Sequence, residues 1–141
     1  MFKTIECRTT HSLAQLPKRA NPTDAGADLY TTESFELKVN ESKLVDTGLA
    51  VKIPVNFAGL IFNRSGQAKK QIVLLNGVGV IDSDYRGTIK LLLKNTGNET
   101  YKIEAGDRIA QLVVVPIVLC DFVDSWNDTP RGSGGFGSTG A

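Results

Sequence analysis

A chain of 141 residues, 41% hydrophobic and 22% charged, is the size of one ordinary globular domain. A chain this long buries roughly 68–70% of its unfolded surface, so it needs no disulfide or metal staple. Its 16 Lys and Arg against 15 Asp and Glu give a formal net charge of +1, which removes the electrostatic case for sequence-independent nucleic-acid binding or a membrane surface.

The first residues, Met1 to Glu6, lack an apolar signal core, and no run approaches about 18 uncharged apolar residues, which predicts a cytoplasmic protein. Cys7 and Cys120 lie far apart without Cys-x-x-Cys spacing, and His11 is the single histidine. An ordinary zinc site is excluded, and two free, partly buried thiols are expected. After the turn Asn21-Pro22-Thr23-Asp24 comes a first polar cluster, Asp24-Ala25-Gly26-Ala27-Asp28-Leu29-Tyr30. Two carboxylates four apart at a strand entrance suit a metal or an arginine, although an exposed turn uses Asp as readily.

Period-two alternation then predicts strands. Phe35, Leu37 and Val39 alternate with polar residues, and Leu49, Val51 and Ile53 follow the same rule. After the strand Leu60-Ile61-Phe62, a second cluster, Asn63-Arg64-Ser65-Gly66, leads into a short helix for which Ser65 is the expected cap. A cation, a hydroxyl and a glycine at a helix start suit an anion, and equally suit a capped helix with a surface arginine. The runs Gln71 to Leu75 and Ile109 to Leu119 read as strands buried on both faces, the second bent by Pro116.

The third cluster runs from Asn76 to Gly87. Its two early glycines, Gly77 and Gly79, let backbone approach a ligand. Asp82, after the apolar pair Val80-Ile81, suits a general base, and Tyr85 offers a flat face for a sugar or base. A hairpin closed by a polar turn is the plainer alternative. Ile89, Leu91 and Leu93 predict another strand, followed by the fourth cluster, Gly106-Asp107-Arg108-Ile109-Ala110-Gln111, where Gln111 is an amide among apolar neighbours that needs partners. From Asp124 the composition changes. The segment Arg131-Gly132-Ser133-Gly134-Gly135-Phe136-Gly137-Ser138 is too poor in apolar residues to order itself, so a mobile tail is expected.

Many short strands with turns every 8 to 12 residues or so predict an all-β fold, a jelly-roll-like sandwich or barrel with one short helix. The chain has no phosphate-binding Gly-x-x-x-x-Gly-Lys loop and no Gly-x-Ser-x-Gly elbow, and a single His is a poor basis for a nucleophilic triad. A carboxylate-activated water acting on an anion held by arginines survives this elimination.

In this order the clusters resemble the five motifs of the trimeric dUTPases, from about residue 22 to 140. The resemblance implies Mg²⁺-dependent hydrolysis of dUTP to dUMP and pyrophosphate, which limits uracil incorporation into DNA and supplies dUMP for thymidylate synthesis. It implies that Asp82 activates the attacking water, that Tyr85 stacks on the deoxyribose, and that Asn76, Gly79, Val80 and Ile81 hold uracil. Arg64, Ser65, Gly66 and Gln111 would hold the phosphates, and Asp28 would meet magnesium through water. Residues 1–126 would form the β domain and 127–141 a flexible lid, with Phe136 on uracil and Arg131, Gly137 and Ser138 around the nucleotide. A homotrimer with active sites shared between subunits follows from the family, with no direct nucleic-acid binding and no membrane. Three positions depart from the family pattern: Asn63 stands for a usual proline, predicting a less rigid loop; Gln67 for a common apolar residue; and Ala27 for a larger one. A deaminase of dCTP is the rival on the same fold, and a nucleotide-gated binding protein the rival of another class.

Overall fold

The computed structural model describes residues 3–140. Its strands are β1 (Cys7–Thr9), β2 (Ala27–Tyr30), β3 (Phe35–Leu37), β4 (Ser42–Val51), β5 (Phe57–Phe62), β6 (Ile72–Leu74), β7 (Gly79–Ile81), β8 (Thr88–Asn95), β9 (Tyr101–Ile103) and β10 (Arg108–Pro116). One short helix, α1 (Ser65–Lys69), lies between β5 and β6. The strands form two four-stranded sheets, ordered β1-β4-β8-β6 and β2-β10-β5-β7, and a two-stranded pair β3-β9. The fold is all-β and antiparallel, as the alternating pattern predicts.

One apolar core joins the sheets. Val45 and Leu91 face each other across β4 and β8, and Leu49, Leu91 and Leu93 are each 1% exposed. Leu29, Ile61, Ile109 and Leu112 come from the second sheet and Leu37 and Ile103 from the pair. Complete burial of one such side chain is worth about 1.5–3 kcal/mol, so the inward positions fix the register and leave Lys90 and Lys94 outside.

The sequence reading fails where a strand lies at an edge or ends early. Only Ile72–Leu74 of the run Gln71 to Leu75 is strand, with Val73 half-buried and Gln71 and Leu75 exposed, because β6 is the outer strand of its sheet. β10 stops at Pro116 instead of bending there, and Ile117, Val118 and Leu119 are exposed. A proline has no N–H to offer a ladder. Val39 lies beyond the end of β3 and is exposed, since Asn40 turns the chain with a φ of 63°. Cys7 and Cys120 are free as expected, but exposed, although the atoms packed around the Cys7 sulfur desolvate it enough to push its thiol pKa up.

Ser65 does not cap α1. Arg64 occupies the cap position in an extended conformation (φ −86°, ψ 143°), and its carbonyl accepts from the N–H groups of Gln67 and Ala68. Ser65 is therefore the first helical residue, and its side chain makes no capping bond.

Candidate active site

Strand register brings three of the clusters together. β10 runs between β2 and β5, so Gln111 stands opposite Asp28 on one side and Phe62 on the other. Asn63, Arg64 and Ser65 follow Phe62 directly. A cavity of about 360 Å³ results, lined by Asp24, Ala25, Gly26, Asp28, Arg64, Ser65 and Gln111. Gly66 follows Ser65 in α1, with open space where a Cβ would stand.

Hydrogen bonds fix this half of the site. Arg64 Nε donates to Asp28 Oδ1 at 2.6 Å, and Arg108 Nη1 lies 3.7 Å from Asp28 Oδ2. Gln111 Nε2 donates to the Asn63 carbonyl at 2.8 Å, which gives the amide a structural partner while its oxygen lies against Gly26. A Cβ at Gly26 would overlap Gln111 Oε1, so a side chain there would force the amide to shift. The loop at Asn63 is held firmly without the usual proline. Its Oδ1 accepts from the Leu74 N–H at 2.8 Å, so the residue is tied to β6 by its side chain and to β10 through its carbonyl. A proline ring would fix one dihedral angle and could not make the bond to β6.

The third cluster lies at the far edge of the same sheet. β7 pairs with β5, placing Gly79 opposite Ile61 and Ile81 opposite Gly59. Asn76, Gly79, Val80 and Ile81 line a separate hollow of about 150 Å³ with Ile61, Leu74, Lys90 and Leu91. Ile81 packs against the core, whereas Val80 is 61% exposed, so only one member of the expected apolar pair anchors Asp82. Asp82 is exposed at the start of the turn, and its carbonyl accepts from the Tyr85 N–H at 3.2 Å. Tyr85 Oη donates to the Thr88 carbonyl at 2.8 Å, and the ring crowds Gly87, where a Cβ would come within 2.7 Å of a ring carbon.

The tail stands apart from both hollows. Arg131 Nε donates to the Gly134 carbonyl at 2.9 Å, and the Ser138 N–H to that of Gly135. Phe136 is fully exposed, with Gly137 in a left-handed turn after it. Among the described residues, then, Arg64, Ser65, Gln111 and Asp28 line one hollow and Asn76, Gly79, Val80 and Ile81 another, and the tail lines neither.

A dUTPase family model matches residues 12–140. The chain belongs to the dUTPase family. It is 50% identical over 131 residues to a deoxyuridine 5′-triphosphate nucleotidohydrolase of Haemophilus influenzae, covering 89% of this chain and 87% of the relative. The corresponding protein of Crocosphaera subtropica is 45% identical over 130 residues, covering 90% and 92%. A dUTPase of Staphylococcus bacteriophage 80alpha with dUpNHpp superposes with a TM-score of 0.90 at 30% identity, covering 99% of this chain and 100% of that one. A dUTPase variant from phage phi11 of S. aureus, solved for the coordination of a structural Mg(II) ion, gives a TM-score of 0.82 at 29% identity, covering 89% and 100%.

Within the dUTPase frame, two residues near the arginines carry contacts that the sequence did not assign. Arg108 was visible only as part of the Gly-Asp-Arg turn, yet it shares Asp28 with Arg64. Gln67, noted only as a departure from an apolar pattern, is 7% exposed and donates to the Arg108 carbonyl at 3.0 Å.

Proposed function

We propose how the residues of this chain divide the work of hydrolysing dUTP to dUMP and pyrophosphate, the reaction that its membership of the dUTPase family carries. The carrying observation is the shared cavity of Arg64, Ser65, Gln111 and Asp28, a polar hollow of about 360 Å³ into which one guanidinium, one hydroxyl and one side-chain amide converge. Arg64 with the Ser65 hydroxyl, the backbone at Gly66 and the Gln111 amide hold the phosphate chain. The hollow at Asn76, Gly79, Val80 and Ile81 takes uracil through main-chain groups, and Tyr85 stacks on the deoxyribose. Asp82 accepts a proton from water as the water oxygen bonds to the α-phosphorus. The bond from that phosphorus to the bridging oxygen breaks, and pyrophosphate leaves.

Magnesium fits the donor set. No group of three or more His, Cys, Asp or Glu residues clusters among the described residues. A hard ion that dehydrates reluctantly needs no such cage when phosphates and water supply its oxygens. Asp28 lines the cavity, and its Oδ2, 3.7 Å from Arg108 Nη1, accepts no hydrogen bond among the described residues, which suits a contact to the ion through water. When bound, the ion offsets charge that develops on the phosphate oxygens.

The separation of the base hollow from the phosphate cavity supports a homotrimer whose active sites are shared between subunits. So does the exposed row Ile117, Val118, Leu119, Phe122, Val123 and Trp126, an apolar stretch that a monomer would leave in water. Residues 1–126 then act as the β domain and 127–141 as the lid, with Arg131, Phe136, Gly137 and Ser138 closing over the nucleotide. A cytoplasmic location goes with this reading.

Pyrophosphate release from dUTP, with dTTP, dCTP and UTP alongside, in magnesium and then in chelator, tests the proposal. Release from dUTP alone that stops in chelator is the expected result. Ammonia release from dCTP, or tight dUTP binding without release, would overturn it.

A further inference from the structure

We propose that Gln67 is a positioning residue for the triphosphate half of the site, acting through Arg108 and Arg64. The inference rests on the dUTP reading above and adds a residue to it.

Four residues close a ring. Arg64 Nε bonds Asp28 Oδ1, Asp28 Oδ2 faces Arg108 Nη1, the Arg108 carbonyl accepts from Gln67 Nε2, and the Gln67 N–H donates back to the Arg64 carbonyl at 3.1 Å. Gln67 is the one member that reaches both arginines through their backbones. It therefore sets how far apart the two segments carrying them stand, while Asp28 couples their side chains.

The bond to Arg108 falls where the ladder is irregular. The register between β10 and β2 shifts between Arg108 and Ala110, which is a bulge. A bulge re-aims the side chain beside it, and here that side chain is Arg108, turned toward Asp28. The Gln67 amide pins the carbonyl at this point.

Packing alone does not account for a glutamine at this position. Gln67 is 7% exposed, and its Oε1 has no hydrogen-bond partner among the described residues. A buried carbonyl oxygen left unpaired is a standing cost that an apolar side chain of the same length would avoid. The residue keeps the Nε2 donor to Arg108 at the cost of an unpaired Oε1, and local conflicts of this kind concentrate at functional positions.

The test uses the full chain with Gln67→Met, which keeps length and lacks the donor. Binding of dUpNHpp and of dUMP is measured with thermal unfolding and dUTP kinetics. Loss of one positioning hydrogen bond predicts about a five- to tenfold weaker dUpNHpp affinity. dUMP affinity stays within about twofold and KM for dUTP rises more than kcat falls, while the melting temperature changes little, because the unpaired Gln67 Oε1 is removed as the Arg108 carbonyl loses its donor. Unchanged dUpNHpp binding, or equal losses for both ligands, would overturn the proposal. A large fall in melting temperature, repeated in Gln67→Leu, would make Gln67 a structural anchor and overturn it too. Wild-type turnover of dUTP is followed in the same series, so a chain inert to dUTP is distinguished from one whose Gln67 variants bind normally.

Discussion

Asp28 holds Arg64 in a charge-assisted hydrogen bond, Nε to Oδ1 at 2.6 Å, with the two side chains only 14% and 24% exposed. The guanidinium is thereby aimed before any anion arrives, and its positive charge is balanced until a phosphate competes for it. Arg108 stands farther off and is 53% exposed, so it adds less to the pair.

Asp28→Asn keeps the shape and removes the charge. Arg64 then lies half-sheltered without its counter-ion, which costs about 1–3 kcal/mol of stability. The expected result is a lower melting temperature together with a dUTP KM raised about tenfold or more, and a higher magnesium concentration for half-maximal rate. Calorimetry, dUTP kinetics and a magnesium titration check the three effects. An unchanged KM would show that Arg64 needs no help from Asp28.

Gly26 controls the other wall. With any Cβ there, the Gln111 amide must leave its place, because its Oε1 occupies that volume and its Nε2 is tied to the Asn63 carbonyl. Gly26→Ala should destabilise the fold by about 1–3 kcal/mol through overpacking. It should also lower kcat/KM for dUTP by more than Gln111→Ala does, since the intruding methyl displaces both the amide and the loop it anchors. Equal activity in Gly26→Ala and wild type would mean that Gln111 has room to move without consequence.

The parts of this molecule legible in its sequence are those governed by local alternation. Leu49, Val51 and Ile53, and Ile89, Leu91 and Leu93, point inward because period two leaves them no other choice once one face is buried. Whether a strand lies at an edge is a tertiary property, and for that reason the run from Gln71 to Leu75 is longer than the strand Ile72–Leu74 it contains. Residue types at the site were legible, but their joining was not. Asp28, Asn63, Arg64 and Gln111 meet through the register of β10 with β2 and β5, a pairing between residues as many as 83 positions apart that no local pattern encodes. The role of Asn63 shows the limit well. Its side-chain bond to Leu74 replaces the stiffness of a proline, and only the position of β6 reveals the acceptor's use.

Gln71 carries a φ of 63°, a left-handed conformation that costs a residue with a Cβ about 1–2 kcal/mol. Its backbone does the structural work: its carbonyl accepts from both the N–H and the hydroxyl of Thr96. The side chain is exposed. Gln71→Gly relieves the strain and keeps those bonds, against a loss of about 0.5–1 kcal/mol from greater freedom of the unfolded chain. A net gain of several tenths of a kcal/mol is expected, raising the melting temperature by roughly 1–4 °C with dUTP turnover unchanged. A lower melting temperature would show that the glutamine side chain contributes more than its exposure suggests.

Asp82 and Asp84 sit in one exposed turn and differ chiefly in where the chain holds them. Asp82 directly follows Ile81, which packs on the core at the end of β7, so its backbone is anchored, while Asp84 lies two residues farther into the turn. The Tyr85 N–H bonds the Asp82 main-chain carbonyl, so an asparagine at position 82 leaves the turn and the tyrosine in place. Removal of a general base costs about 10²–10⁴ in rate. Asp82→Asn should therefore lose that much kcat while binding dUpNHpp as wild type does, and Asp84→Asn should stay within about threefold of wild type, a surface change. Single-turnover measurements with each variant decide between them. If the large loss of chemistry with retained binding appears in Asp84→Asn alone, the base is Asp84, and the anchoring of residue 82 by Ile81 serves only the hairpin.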